Sequence, residues 1–279
     1  MSIQSWAKAL TALLFLITLS PLAVAEEQKA PAPELSYTAP IGARVYDLSK
    51  LQPYTAGWIQ SIKNEETWEV VGTVEETLDF DEAGNWRHIT NPKRNGSEVK
   101  VKVTRTLNRD NFTPLHFLRT MENGPEGAPV EVNFNIGVLD VRGYYLAADG
   151  TKKPYSKEFP VPTFDGSIIG LVIATMPLKE GYRETMPTSI PTLDALYWLE
   201  IKVTGKIPYE VVTGEVIEVW EVTANWYNID VGDWYPPGRD DWGGAYYIAV
   251  EPGNGVPYVV EYAHSTLIYA WDGVSRLTK

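Results

Sequence analysis

The chain has 279 residues, a formal net charge of −12 at pH 7 and no cysteine. The missing cysteines exclude disulfides, thiol nucleophiles and thiolate-bound metals. So acidic a chain is repelled by nucleic acid and by anionic lipid head groups, which argues against either as a broad-surface partner.

The amino end reads as a secretory signal peptide over residues 1–25. Lys8 supplies the positive flank, residues 9–19 form a short apolar stretch, and Ala23-Val24-Ala25 places small residues where signal peptidase cleaves. That stretch is shorter than the roughly 20 apolar residues of a membrane-spanning helix. Cleavage is therefore expected after Ala25. With no cysteine to carry a lipid, the mature chain is expected in a Gram-negative periplasm as a soluble protein and not as a lipoprotein. Residues 26–42 are rich in Pro and Ala and read as a flexible tether. Residues 43–279 are expected to form a single β-rich domain, its folded part beginning between Ala43 and Trp68.

Strands follow in quick succession. Residues 68–78 place Trp68, Val70, Val74 and Leu78 on one face and Glu69, Thr73, Glu75 and Thr77 on the other. A turn at residues 81–85 leads to a second strand ending near Ile89, and the turn at residues 91–96 contains Asn95-Gly96, the strongest hairpin dipeptide. Residues 98–107 alternate cleanly, Val99, Val101 and Val103 against Lys100, Lys102 and Thr104. Residues 112–121, 130–139 and 143–148 continue the meander.

The period then breaks. Residues 168–176 are apolar but for Thr175, preceded by the candidate caps Asp165 and Ser167 and ended by Pro177. They read as one helix, with a buried strand as the competing assignment because Ile and Val dominate. Strands resume at residues 197–205, 215–226, 245–250, 257–262 and 265–271. Between them, residues 230–244 form a long loop of Gly, Pro, Asp and Trp. The sum is a mainly β protein of about 11 antiparallel strands with one central helix. Such a count fits a barrel or a sandwich, and equally a curved, half-open sheet with the helix in its concavity.

Several motifs in the carboxy-terminal half have a family look. Phe164-Asp165-Gly166 leads into the apolar helix, and Met176-Pro177-Leu178-Lys179-Glu180-Gly181-Tyr182 follows it. Then come Val203-x-Gly205, Gly214-Glu215, Val219-Trp220-Glu221-Val222, Tyr246-Tyr247-Ile248 and Val259-Val260-Glu261-Tyr262. This pattern resembles an uncharacterised bacterial periplasmic family, domain of unknown function 3108, itself similar in fold to the lipoprotein carrier and sorting proteins. The resemblance spans residues 65–271 in arrangement and 164–262 in motif. It implies a half-open β-barrel with helical cover, and it brings no catalytic residues with it.

No residue pattern identifies a reaction. His88, His116 and His264 lack metal-ligand spacing and read as satisfied structural histidines. Asp165-Gly166-Ser167 lacks the second glycine of a nucleophile elbow. Asp230, Asp233, Asp240 and Asp241 crowd the long loop without the order of a calcium ladder. The expectation is a non-enzymatic protein without cofactor or metal. It would bind a hydrophobic small molecule, a lipid or acyl chain, in the concavity of the sheet. Its candidate contacts are Ile168, Ile169, Leu171, Val172 and Met176 of the apolar segment, and the loop aromatics Trp234 and Trp242. The alternatives are an envelope polysaccharide module using Trp234 and Trp242, or a hydrolase built on the Asp240 and Asp241 carboxylates.

Overall fold

The structure, a computed structural model, describes residues 46–137, 139–190, 195–235, 244–253, 255–264 and 266–273. The expected signal peptide and tether, and Asp240, Asp241 and Trp242 of the acidic loop, lie outside the described residues.

Among the described residues, sixteen strands form one sheet. Its first arm is an uninterrupted meander: β1 (Tyr54–Asn64), β2 (Thr67–Phe80), β3 (Trp86–Arg94), β4 (Lys100–Leu107), β5 (Pro114–Glu122), β6 (Glu131–Ile136), β7 (Asp140–Leu146) and β8 (Lys152–Glu158). The second arm holds β9 (Phe164–Asp165), β10 (Arg183–Ile190), β11 (Ala195–Glu210), β12 (Val216–Asn228), β13 (Asp233–Tyr235), β14 (Gly244–Ala249), β15 (Val259–His264) and β16 (Leu267–Trp271). The arms join where β1 pairs antiparallel with β16, Trp58 opposite Trp271. The order across the sheet is β8 to β1, then β16, β15, β14, β12, β11, β10 and β9, with β13 set beside β12. Every pairing is antiparallel except the two-residue contact of β9 with β10.

The mainly β, curved-sheet class is as expected, and the strand count is corrected from about 11 to 16. The additional strands are β1, β8, β9, β10 and β13, and each lacks the long apolar alternation that marks a strand in sequence. β8 has Lys152, Lys153 and Lys157 with Pro154, a composition suited to an edge, where no second neighbour is needed and charge deters pairing with other chains. β10 is polar and contains Pro187, yet Glu184 to Ser189 are all buried.

The sheet curls on itself. Phe117, Val132, Phe134, Ile136 and Val141 from the first arm share a buried cluster with Phe159 and with Leu196 of the second arm. Lys157 Nζ on β8 reaches Asp230 Oδ2 at 3.1 Å, and the same carboxylate oxygen accepts from the Leu196 N–H at 3.1 Å. Side chains thus bridge the gap that backbone pairing leaves open between the two ends of the sheet.

The central apolar segment is helical, but for six residues only: a 3-10 turn at Gly166–Ile168 runs into α1 (Ile169–Ala174). Asp165 caps the turn by accepting from the Ser167 N–H at 2.8 Å. α1 lies in the concavity with Ile169, Leu171, Val172 and Ile173 all buried. Gly170 lets it sit against β14 and β15, since a Cβ there would come within 2.9 Å of Val259 Cγ2 and 3.2 Å of Tyr246 Cδ1. The strap before β1 closes the helix from outside. The Asp47 N–H donates to Thr175 O at 2.9 Å, and Lys50 Nζ donates to Met176 O at 3.0 Å.

Phe134 is fully buried and touches the rings of Phe117, Tyr145 and Tyr155. Phe134→Ala is expected to lower stability by about 3–5 kcal/mol, the usual loss for an emptied aromatic site, read as a shift in the urea unfolding midpoint.

Candidate functional site

Strand alternation places a row of polar side chains on the inner face of the first arm. In β2, Glu76 falls in phase with Val74 and Leu78; in β3, His88 falls in phase with Trp86; in β4, Arg105 falls between Val103 and Leu107. The register sets His88 directly opposite Arg105 and sets Glu76 one step diagonally from both Tyr54 and His88. The charged and titratable groups that meet here are all buried: Tyr54 is 1 % exposed, Glu76 9 %, His88 3 %, Arg105 8 %, and Asp165 at the helix entry 1 %.

They form one hydrogen-bonded chain. The Tyr54 hydroxyl donates to Glu76 Oε1 at 2.8 Å, and His88 Nε2 donates to the same oxygen at 2.7 Å. Arg105 Nη1 lies 3.4 Å from His88 Nδ1, and Arg105 Nε donates to Asp165 Oδ2 at 3.2 Å. The other Asp165 oxygen caps the turn into α1. A guanidinium can only donate, so the ring nitrogen facing it accepts, and the imidazole is assigned as the neutral Nε2–H tautomer. Burial pushes the Glu76 carboxyl up. The hydrogen bonds from His88 and Tyr54 outweigh it and hold the group below the ordinary carboxylate range. Burial and the neighbouring Glu76 push the Tyr54 phenol well above its ordinary value. The Trp58 indole N–H, close to Glu76 and 7 % exposed as a residue, reaches no acceptor in hydrogen-bond geometry.

This row walls a cavity of about 400 Å³ between sheet and helix. Trp58, Glu76, His88, Thr90 and Arg105 form the polar side. Ile168 and Leu171 from the helix segment, with Trp226, Tyr246, Val259 and Tyr262 from the second arm, form the apolar side.

Of the residues expected to meet a ligand, Ile168 and Leu171 border this cavity. Ile169 and Val172 are packed into the core. Met176 faces a second hollow of about 350 Å³ together with Lys50, Trp220 and Tyr258. The backbone of Trp234 pairs with Tyr227 through β13. Asp230 is engaged with Lys157 and the backbone of Leu196. His116 pairs with Asn133 at 2.9 Å. Reading the strands for apolar faces passed over Glu76 and Arg105. The signal was present as a break in period: each is a charge on a face otherwise filled by Val, Leu or Trp. In β2 the expected face is correct at Val74 and Leu78 and fails at Trp68 and Val70, which are exposed. A register shift opposite Gln60 and Ser61 separates the two halves of that strand.

A family model described as protein of unknown function (DUF3108) matches residues 54–264. The chain belongs to this family. The match runs from β1 to the end of β15 and so takes in every residue of the cavity wall except Tyr269. Among solved structures, the chain is similar to a β-barrel-like protein of domain of unknown function DUF1849 from Brucella abortus, with a TM-score of 0.49 and 10 % identity over 82 % of this chain and 99 % of that one. No curated protein matches the sequence significantly.

A carboxylate held ionised in the fold contributes stability that is present above its unfolded pKa, about 4.3 for Glu, and is lost as pH falls through its lower folded pKa. Glu76→Gln is therefore expected to lower stability at neutral pH and to flatten the decline between about pH 5 and about pH 3, measured by urea unfolding across that range.

Proposed function

We propose that this DUF3108 protein is a non-catalytic binding protein of the cell envelope, exported through the signal at residues 1–25 and holding the apolar chain of a lipid or similar amphiphile in the cavity between sheet and helix. The observation that carries the reading is the cavity itself. Its volume of about 400 Å³ falls within the roughly 300–1,000 Å³ of small-molecule sites, and such sites are mostly apolar with a few placed polar groups. Ile168, Leu171, Tyr246 and Val259 supply a surface for methylene groups, and the polar row supplies one end where a head group can be fixed. α1 serves as the floor of the site, anchored through Asp165.

The state of the polar residues favours holding over turnover. A general base must reach its substrate's proton, and both ring nitrogens of His88 are already engaged, one by Glu76 and one by Arg105. Among the described residues, no helix is long and apolar enough to cross a membrane, which suits a protein that carries its ligand through an aqueous compartment.

Delipidated protein is expected to bind the uncharged dye Nile red saturably, with a blue-shifted emission. Thr90, half-buried on β3, faces the cavity without joining the hydrogen-bonded chain. Thr90→Phe places a ring in the cavity and is expected to weaken dye binding about tenfold while the thermal melt stays cooperative. Non-saturable dye binding by the unmodified protein would overturn the proposal.

A further inference from the structure

The geometry points to an inverted seat for the ligand: the polar head goes in first and lies at the closed end of the cavity, and the chain runs back out past an uncharged, largely aromatic and aliphatic mouth. This inference rests on the cavity being the binding site and adds the direction in which an amphiphile occupies it.

The strands that wall the cavity share one gradient of burial. Along β2 the inner face passes from half-buried Val74 through Glu76 to Leu78 in the core. Along β3 it passes from half-buried Pro92 and Thr90 through His88 to Trp86 in the core. Val74 pairs with Pro92, Glu76 with Thr90 and Leu78 with His88, so the two gradients run the same way. On β15, Val259 is buried and Tyr262 half-buried, and Tyr262 pairs with half-buried Tyr269 of β16. Tyr269 in turn pairs with Gln60, outward of Trp58 on β1. Val74, Pro92, Tyr262 and Tyr269 all border the cavity and mark its mouth. The lining groups Glu76, His88 and Arg105 lie at the other end, where the next residues along the strands, Leu78, Trp86 and Leu107, belong to the core.

A site that takes a chain in tail first has the reverse pattern, with methylenes in the dry end and polar groups at the rim. Here the dry end holds the polar groups, and they have bonding capacity to spare. Glu76 Oε1 accepts from Tyr54 and His88, which leaves Oε2, and Arg105 uses Nε and one Nη1 hydrogen, which leaves further guanidinium N–H groups, with no partner among the described residues. Buried polar groups are normally hydrogen-bonded. A polar head of either charge, or of none, satisfies them. A chain terminus laid there strands them in a dry space, at the full cost of their desolvation. The first methylenes behind the head then run along Ile168, Leu171 and Val259 toward the mouth. Each methylene inside adds about fourfold in affinity, and those beyond the mouth add little.

The test uses the mature protein loaded with Nile red and three uncharged amides, so that head charge plays no part. They are N-methyldodecanamide, the same amide carrying a 1-pyrenyl group at the far end of its chain, and N-(1-pyrenylmethyl)dodecanamide, which carries that bulk on the head. Each is kept below its aggregation limit. The chain-end pyrenyl amide is expected to displace the dye within about threefold of the concentration the parent needs, and the head pyrenyl amide to need at least about tenfold more. The pyrene of the bound chain-end amide is expected to stay open to quenching by acrylamide. Equal or easier displacement by the head pyrenyl amide, or a chain-end pyrene shielded from acrylamide, would overturn the inverted orientation. Absence of dye binding, or failure of all three amides to displace the dye, would instead overturn the cavity as an amphiphile site, so the two failures are distinct.

Discussion

The chain of hydrogen bonds from Tyr54 through Glu76, His88 and Arg105 to Asp165 organises the molecule. It crosses four neighbouring strands and ends on the residue that starts the helix. A six-residue helix cannot hold itself together in water, because the first turn fixes many dihedral angles for few hydrogen bonds. Here the cap carboxylate is itself fixed by Arg105, so the helix is placed by the sheet before its own packing is considered. Buried ion pairs add little net stability compared with apolar side chains of similar volume, and removing one partner costs about 3–5 kcal/mol. The row is better understood as a device for position than as a reservoir of stability. It keeps α1 at one height above the sheet and thereby keeps the space beneath it open.

The remainder of the fold supplies a container for that arrangement. The two arms contribute different surfaces, charged and polar from β1 to β4, aromatic and aliphatic from β12, β14 and β15. Only the curl of the sheet brings them face to face. Where backbone pairing stops, between β8 and β9, the join is made by Lys157 with Asp230, Arg105 with Asp165 and Phe159 with Leu196. A join of side chains can yield more easily than a ladder of backbone hydrogen bonds, and it lies beside the helix entry.

What could be read from the sequence followed the physical signal each element carries. β4 and β11 alternate because one face is in the core and the other in water, and both were evident from their valines, leucines and isoleucines. β8 sits at an edge and β10 buries threonine, serine and methionine beside a proline, so neither shows a period that apolar counting can detect. The helix was legible through the Asp165 cap and the stop at Pro177. Its brevity was not, because Gly166, Gly170 and the β-branched residues serve close packing and give no measure of length. The candidate site was half legible: the apolar segment marked one wall. The opposite wall was written as exceptions to the strand pattern, and a reading tuned to the rule discards its exceptions.

The pairing of β1 with β16 has a kinetic side. The first and last described strands are neighbours, so a chain that appears amino end first must wait with an unpaired edge on β1 until β16 has been delivered. Loop closure over nearly the whole domain is slow compared with forming a local hairpin. During that interval Trp58 has no Trp271 beside it, and a hydrophobic, hydrogen-bond-hungry ribbon is open to unintended pairing. Such a topology ties successful maturation to uninterrupted synthesis of the entire domain, and it gives any factor that shields the waiting edge a direct influence on yield.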